Sequence, residues 1–204
     1  MRRIILCVFL ISACGYRFQP PIETMKLSMD AVKLIARGEE RGDLDAFFNQ
    51  DHYDISNERR LLLRFESLDA EVDKISVEGG KKVWVEINVY RDADIPIVLE
   101  NLKLCPVTRS WMMLATWTHG HPFGKNGRWE SEGGDYDLAG CLLGELKEGS
   151  PHTLHFDATQ WFINYPRARR ENYGFLLISE KELSVQGEQA GTSAPKLAFD
   201  SYLQ

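Results

Sequence analysis

The stretch Val83-Trp84-Val85-Glu86-Ile87-Asn88-Val89-Tyr90 decides the fold class, because apolar and polar residues alternate along it. Successive side chains of a β-strand point to opposite faces, so the four odd-numbered residues share one apolar face while Glu86 and Asn88 lie on the other. Many short strands without long helices between them predict an all-β fold, an antiparallel two-sheet β-sandwich. The other predicted strands lie at 61–66, 101–104, 153–157, 173–178 and Lys196–Tyr202.

The same pattern places one helical turn and the core. Asp157-Ala158-Thr159 follows a strand and is typical of a helix start, which predicts a short helical turn near 159–165. Inward positions of the strands, together with an aromatic residue of this turn, form the predicted core. Its members are Phe65, Val85, Ile87, Leu104, Phe156, Trp161, Phe175 and Leu177.

Residues 23–50 carry two incompatible patterns. One face of a helix fits Met25, Met29, Val32 and Ile35, whereas one face of a strand fits Met25, Leu27 and Met29. Periodicity alone leaves both structures open for this segment.

Length and charge limit the classes of function. The chain has 204 residues, of which 44% are hydrophobic, and this is enough for the core of a single domain. Its 24 Lys and Arg against 30 Asp and Glu give a formal net charge of −6, and no long basic stripe is present. Because binding to phosphates depends on clustered Lys and Arg, no nucleic-acid partner is expected.

The first residues have the pattern of an export signal. Arg2 and Arg3 precede the apolar run 4–11, which is too short to span a bilayer and fits a signal peptide. The run ends in Ile11-Ser12-Ala13-Cys14, which resembles a bacterial lipobox, where the cysteine thiol receives the lipid. An ordinary signal peptide with a chance cysteine is the alternative.

A lipobox implies a simple organisation of the chain. Residues 1–13 are then a signal peptide, 14–22 a tether and 23–204 one β-sandwich domain, with lipid on Cys14. The lipid would anchor the protein in the bacterial cell envelope. Gly15, rather than an Asp, follows the cysteine, and by resemblance to sorted lipoproteins this favours the outer membrane where two membranes exist.

Two cysteines remain in the predicted domain, Cys105 and Cys141. Exported proteins fold in an oxidising compartment, so an even pair favours a disulfide. Two buried free thiols are the alternative.

Several segments taken together resemble the DNRLRE domain, also described as carbohydrate-binding module family 96. The resemblance implies a jelly-roll-like β-sandwich, a first strand within residues 25–35, and a non-catalytic domain that binds carbohydrate. The matching segments are 60–65 (RLLLRF), 82–90 (KVWVEINVY), 106–111 (PVTRSW), 115–117 (ATW), 133–137 (GGDYD), 156–161 (FDATQW), 172–177 (NYGFLL) and 195–197 (PKL).

The long loop at 117–137 is the predicted binding surface. Loops of this length are commonly functional, and aromatic rings in a glycine-rich loop offer flat faces for sugar rings. We expect Trp129 to be the stacking platform of a saccharide site; the alternative is that Trp111, Trp117 and Trp129 fold beneath the loop and brace it. The candidate ligand-binding residues are Trp117, His119, His121, Arg128, Trp129, Asp135 and Asp137.

Indications of catalysis and of metal binding are scarce. His119 and His121 could ligate a metal, but no third ligand lies at a suitable spacing, so no metal or other cofactor is expected. The chain has no nucleophile elbow, phosphate-binding loop or zinc-protease motif, so it is not expected to be an enzyme. The predicted partners are a membrane, through the lipid, and a polysaccharide or, as the alternative, an envelope protein.

We predict that the mature protein begins at a lipidated Cys14. Mass spectrometry of the N-terminal peptide from the membrane-extracted protein should find a diacylated or triacylated cysteine followed by Gly15. An unmodified peptide that spans Ala13 and Cys14 would contradict this prediction.

Overall fold

The computed structural model describes residues 22–28, 31–38, 50–65, 82–90, 97–121, 123, 126–168 and 172–202. The predicted signal peptide, Cys14 and the tether up to residue 21 lie outside these residues. In the part of the chain that is described, no helix is both long enough and apolar enough to cross a membrane.

Ten of the described strands build two antiparallel sheets that face each other, which confirms the predicted β-sandwich. Sheet 1 contains, in spatial order, β1 (Ile22–Ser28), β12 (Lys196–Tyr202), β5 (Val83–Asn88), β9 (Ser150–Asp157) and β8 (Glu145–Lys147). Sheet 2 contains β2 (Ala31–Ala36), β4 (Arg59–Arg64), β10 (Phe175–Ile178), β6 (Lys103–Pro106) and β7 (Leu142–Leu143). A two-stranded ribbon pairs β3 (His52–Ile55) with β11 (Leu183–Gln186).

The main core lies between the two sheets and contains the predicted residues. Trp161 lies at its margin, partly buried, and packs on Phe175 with 4.6 Å between the ring centroids. The other seven predicted core residues are at most 1% exposed: Phe65, Val85, Ile87, Leu104, Phe156, Phe175 and Leu177.

The ambiguous N-terminal segment forms two strands that belong to opposite sheets. β1 pairs with β12 in sheet 1, and β2 pairs with β4 in sheet 2. Every residue of β2 is buried, because alternate residues face the main core and a second apolar cluster on the outer side of sheet 2. The segment is strand, as the resemblance implies, but it forms two strands in place of one first strand. Burial on both faces explains why β2 shows no alternation, since even its Lys33 is buried.

One helix closes an end of the sandwich. The predicted helical turn is confirmed and extends to ten residues, α1 (Thr159–Ala168). Asp157 Oδ1 accepts a hydrogen bond from the Thr159 N–H at 3.0 Å, and Thr159 Oγ1 accepts one from the Val83 N–H at 3.0 Å. These bonds satisfy free N–H groups and fix the start of α1 against β5.

The entry to β10 requires a glycine. Gly174 has φ +77°, and a Cβ at this position would lie 1.9 Å from the carbonyl oxygen of Leu63. Asn172 supports the turn, because its side-chain oxygen accepts from the Gly174 N–H and its amide donates to the Phe65 carbonyl at 2.8 Å. Only a residue without a side chain lets β10 enter so close to the backbone of β4.

A buried carboxylate, Glu86, lies on the outer face of sheet 1. Its Oε1 accepts a hydrogen bond from Lys147 Nζ at 2.5 Å and lies 2.9 Å from His155 Nε2, while Lys196 Nζ is 3.5 Å from Oε2. The hydrogen bond with His155 outweighs the opposing effect of burial and, with Lys147 and Lys196, lowers the pKa of Glu86 to about 2.

We predict that Glu86 makes stability depend on pH. Because its pKa is lower in the folded state than in the unfolded chain, its contribution is full above about pH 4.3 and is lost as the pH falls towards 2. About 2 kcal/mol should be lost between pH 7 and pH 3, and Glu86→Gln should remove that part of the dependence. Urea unfolding at both pH values measures it. Glu145→Gln, at an exposed position of β8, is the control, and equal effects of the two substitutions would contradict the prediction.

Candidate functional site

The predicted binding loop folds back over the outer face of sheet 2. Trp111, Trp117 and Trp129 are only 2%, 3% and 4% exposed. The expectation that Trp129 presents an open ring to a saccharide is therefore wrong, and the bracing alternative is correct. The three indoles join apolar residues of sheet 2, which are Ala31, Ile35, Leu62 and Leu176.

Each indole is fixed by a polar or cationic contact as well as by burial. Trp111 Nε1 donates to the carbonyl oxygen of Tyr173 at 2.7 Å, and Trp129 Nε1 donates to that of Thr116 at 2.9 Å. Trp117 instead lies under a guanidinium, whose central carbon is 4.8 Å from the ring centroid. Such contacts hold the rings in one orientation and are unavailable to a ligand.

The guanidinium over Trp117 belongs to Arg60, which clamps the loop to β4. Arg60 Nη1 donates to the carbonyl oxygen of Gly133 at 2.9 Å. Gly133 has φ +83°, and a Cβ there would lie within 2.9 Å of both Arg60 and Trp117. Burial lowers the pKa of Arg60, but a guanidinium remains charged throughout the physiological range.

Asp135 organises the loop from within and does not offer its carboxylate to a ligand. Its two oxygens accept hydrogen bonds from the backbone N–H groups of Glu130 and Ser131 at 3.0 and 2.8 Å. Arg109 Nε lies 3.3 Å from the same carboxylate, which is nearly buried. The predicted role of Asp135 in ligand binding is therefore replaced by a structural one.

The two predicted histidines also have side-chain partners within the connection between β6 and β7. His119 Nδ1 lies 2.8 Å from Thr118 Oγ1, and His121 Nε2 lies 2.9 Å from Ser110 Oγ. Arg128 has an exposed side chain, and its backbone forms an isolated bridge with His119. Within the described ranges, no group of three or more His, Cys, Asp and Glu residues is arranged to hold a metal ion.

A cleft of about 710 Å³ opens at one end of the sandwich, and its volume lies in the usual range for ligand sites. We call it the end cleft. It lies between the end of β6, the turn before β7, the first turns of α1 and the entry to β10. Its lining residues are Pro106, Val107, Thr108, Asp137, Ala139, Gly140, Cys141, Leu142, Gln160, Trp161, Asn164, Tyr173 and Gly174.

One wall of the end cleft is the start of α1. Gln160 and Asn164 are four residues apart, so they lie on the same side of the helix, and both are exposed. Trp161 is partly buried, because it packs on Phe175 at the margin of the core and also lines the cleft. This wall therefore combines an aromatic ring with two side-chain amides.

The opposite wall is a turn held by the predicted disulfide. Cys105 and Cys141 are bonded, with their Cα atoms 4.0 Å apart, which confirms that prediction. The Asp137 N–H donates to the Pro106 carbonyl at 2.9 Å, and Asp137 Oδ1 accepts from the Ala139 N–H at 3.1 Å. Of the seven loop residues predicted to bind ligand, Asp137 is the one that lines the end cleft.

Sequence reasoning missed the other cleft residues. The core prediction for Trp161 covers half of its role, and the patterns described above do not single out Gln160, Asn164 or Tyr173 as ligand contacts. The spacing of the two amides on a predicted helix, next to a tryptophan, was the feature that could have found this wall. No pattern in the sequence predicts that this helix lies opposite the turn at Asp137.

Comparison with known proteins adds no assignment. No protein-family model matches the chain, and no curated protein matches it. The resemblance to the DNRLRE domain therefore stays a prediction from the segments quoted above.

We predict that Trp129→Ala acts on stability. The ring is buried, and it lies so close to Gly120 that a Cβ there would be 2.8 Å from it. Its removal should leave a cavity and cost about 3–5 kcal/mol in urea unfolding. Phe123, which is 81% exposed in the same loop, provides the control, and Phe123→Ala should change stability by less than about 0.5 kcal/mol. A cost below about 1 kcal/mol for Trp129→Ala would show that the ring is not packed.

Proposed function

We propose that this chain is a membrane-anchored lipoprotein of the bacterial cell envelope whose β-sandwich binds carbohydrate without modifying it. The observation that carries the proposal is the composition of the end cleft. Two partly buried aromatic side chains, Trp161 and Tyr173, share it with two amides and a carboxylate, those of Gln160, Asn164 and Asp137.

This set of groups suits the chemistry of a sugar. A sugar ring has apolar C–H faces, which pack on aromatic rings, and hydroxyl groups at its edge, which both donate and accept hydrogen bonds. The side-chain amides of Gln160 and Asn164 also donate and accept, whereas the carboxylate of Asp137 accepts. A few convergent polar groups on a mainly apolar lining are typical of small-ligand sites.

Both walls are held in place by contacts with strands of the sandwich. The start of α1 is bonded to β5 through Thr159, and the turn at Asp137 is bonded to β6 by backbone hydrogen bonds and the disulfide. Walls that are already ordered lower the entropic cost of binding. This supports recognition of a ligand by a preformed site.

The charges in the end cleft favour binding over hydrolysis. Among the described residues that line it, Asp137 alone has an acidic side chain. Most glycoside hydrolases use a pair of carboxyl groups that face each other across the scissile bond. A single carboxylate can serve as a hydrogen-bond acceptor for a bound ligand.

The predicted lipid anchor would keep the site near a membrane. β1 begins at Ile22, eight residues after Cys14. Eight extended residues span at most about 28 Å, so the domain would stay within that distance of the lipid surface. A glycan-binding domain held there would attach envelope polysaccharide to the membrane.

We predict that an oligosaccharide binds the mature full-length protein and that the amides of α1 contribute to its affinity. A glycan array identifies the ligand, and titration calorimetry measures its Kd. Gln160→Ala combined with Asn164→Ala should weaken binding about tenfold or more, because each hydrogen bond contributes about 1 kcal/mol. The unfolding midpoint should stay unchanged, since both side chains are exposed.

Gln189→Ala is the matched control, because Gln189 is an exposed amide outside the end cleft. It should leave the affinity unchanged. Absence of binding to any glycan at millimolar concentration, or equal weakening by the control, would contradict the proposed function.

A second candidate function, docking of an envelope protein, is favoured by exposed leucines beside the end cleft. Leu138 and Leu143 are 68% and 72% exposed, and they flank the turn that forms one wall. Exposed apolar groups of this kind can mark a protein interface. A cross-linked envelope protein that is lost with Leu138→Ser and Leu143→Ser, together with an empty glycan array, would select this function.

A further inference from the structure

We propose that the end cleft opens towards the membrane that holds the lipid anchor, and that its ligand is the sugar headgroup of a lipid in that membrane. The inference rests on the proposed function and adds the source of the carbohydrate. Its basis is the end of the sandwich at which the chain enters, together with an exposed leucine at the rim of the cleft.

Strand register places the start of β1 at the end of sheet 1 from which α1 begins. At Phe199, β12 lies opposite Val83, the first residue of β5. Three residues further on, at Tyr202, it lies opposite Ile22, where β1 begins. Asp157, the last residue of β9, pairs with the second residue of β5 and leads into α1. The chain therefore enters the sandwich at the end that carries the end cleft.

The ribbon of β3 and β11 lies at the opposite end. Val89, directly after β5, forms an isolated bridge with Val185 of β11. The strand from Val83 to Val89 spans about 20 Å, so the ribbon is at least that much farther from the entry of the chain. Ile22 follows the predicted lipid attachment site, Cys14, by eight residues, which reach at most about 28 Å. A short tether at this position turns the end cleft, and not the ribbon, towards the membrane.

The rim of the end cleft presents an apolar side chain to its surroundings. Leu138 is 68% exposed and lies between Asp137 and Ala139, which both line the cleft. Trp161 and Tyr173 also line it, and each combines an apolar ring with a polar group, as do the side chains that concentrate at membrane–water interfaces. Contact with lipid would remove the leucine from water. The rim therefore suits a lipid surface.

A lipid with a sugar headgroup matches both the cleft and its rim. The hydroxyl groups of the sugar can bond to the amides of Gln160 and Asn164 and to the carboxylate of Asp137, while the acyl chains remain in the membrane beside Leu138. Two partners held by one membrane through a short tether meet at a high effective concentration, on the order of millimolar. A cleft with modest affinity for the free sugar is therefore filled by a lipid of the same membrane.

Photo-cross-linking tests the orientation. A benzophenone amino acid in place of Leu138 is activated by light in the intact cell envelope, and mass spectrometry identifies the molecule that it has joined. The control carries the same amino acid in place of Glu182, an exposed residue before β11 at the opposite end. Lipid adducts should be about tenfold more abundant at position 138, because the two ends lie about 20 Å apart. Adducts with protein and none with lipid at position 138, or equal lipid adducts at both positions, would overturn the inference.

The lipids that accompany the purified protein test the ligand. The full-length lipidated protein is purified from its own membrane in mild detergent, and its bound lipids are compared with those of the whole membrane. A lipid with a sugar headgroup should be enriched about tenfold or more, and Gln160→Ala combined with Asn164→Ala should remove the enrichment. Gln189→Ala, at the exposed amide outside the cleft, should retain it. Enrichment that survives the double substitution would contradict the assignment to the end cleft.

The outcomes also separate this inference from the proposed function. If the protein binds free glycans through the amides of α1 but carries no lipid with a sugar headgroup, the inference is wrong and the proposed function stands. If neither a free glycan nor such a lipid binds, both are wrong.

Discussion

Burial of three indole rings against the outer face of sheet 2 is the constraint on which the rest of the structure depends. The outer face of sheet 2 carries Leu62 of β4 and Leu176 of β10, which would be exposed to water if the connection between β6 and β7 did not cover them. The connection between β6 and β7 supplies Trp111, Trp117 and Trp129 for this purpose. These three rings are therefore not available to stack on a sugar, because each is buried against the sheet.

One connection, between β6 and β7, forms both the cover, which is the segment that carries Trp111, Trp117 and Trp129 over sheet 2, and the wall of the end cleft at Asp137. The chain leaves β6 at Pro106, crosses sheet 2 and returns at Asp137, where it forms a wall of the cleft. The bond from Trp111 Nε1 to the Tyr173 carbonyl joins the cover to the opposite side of the same cleft. The disulfide closes the connection with a sequence separation of 36 residues, worth about 3.5–4 kcal/mol in the chain-entropy model. Stability of the cover and shape of the cleft therefore depend on the same segment.

The sequence predicts those features that arise from local periodicity or pairing rules. β5 was predicted because alternation has a period of two, and α1 because Asp157 and Thr159 start a helix. The N-terminal strands were ambiguous because β2 is buried on both faces and shows no alternation. The role of Trp129 was predicted wrongly because an exposed aromatic loop and a covering one have the same composition. A clue was present in the continuous apolar runs at 61–63 and 175–178, which require a cover on both sides of sheet 2.

The central claim is that ligand binds at the end cleft and that the loop tryptophans only brace the fold. The chain has five tryptophans, and each indole N–H gives its own nuclear magnetic resonance signal, so one titration with the oligosaccharide that the glycan array identifies compares them directly. The account predicts that the signal of Trp161 shifts with saturation, while those of Trp117 and Trp129 stay in place. Shifts centred on Trp117 or Trp129, with none at Trp161, would contradict it.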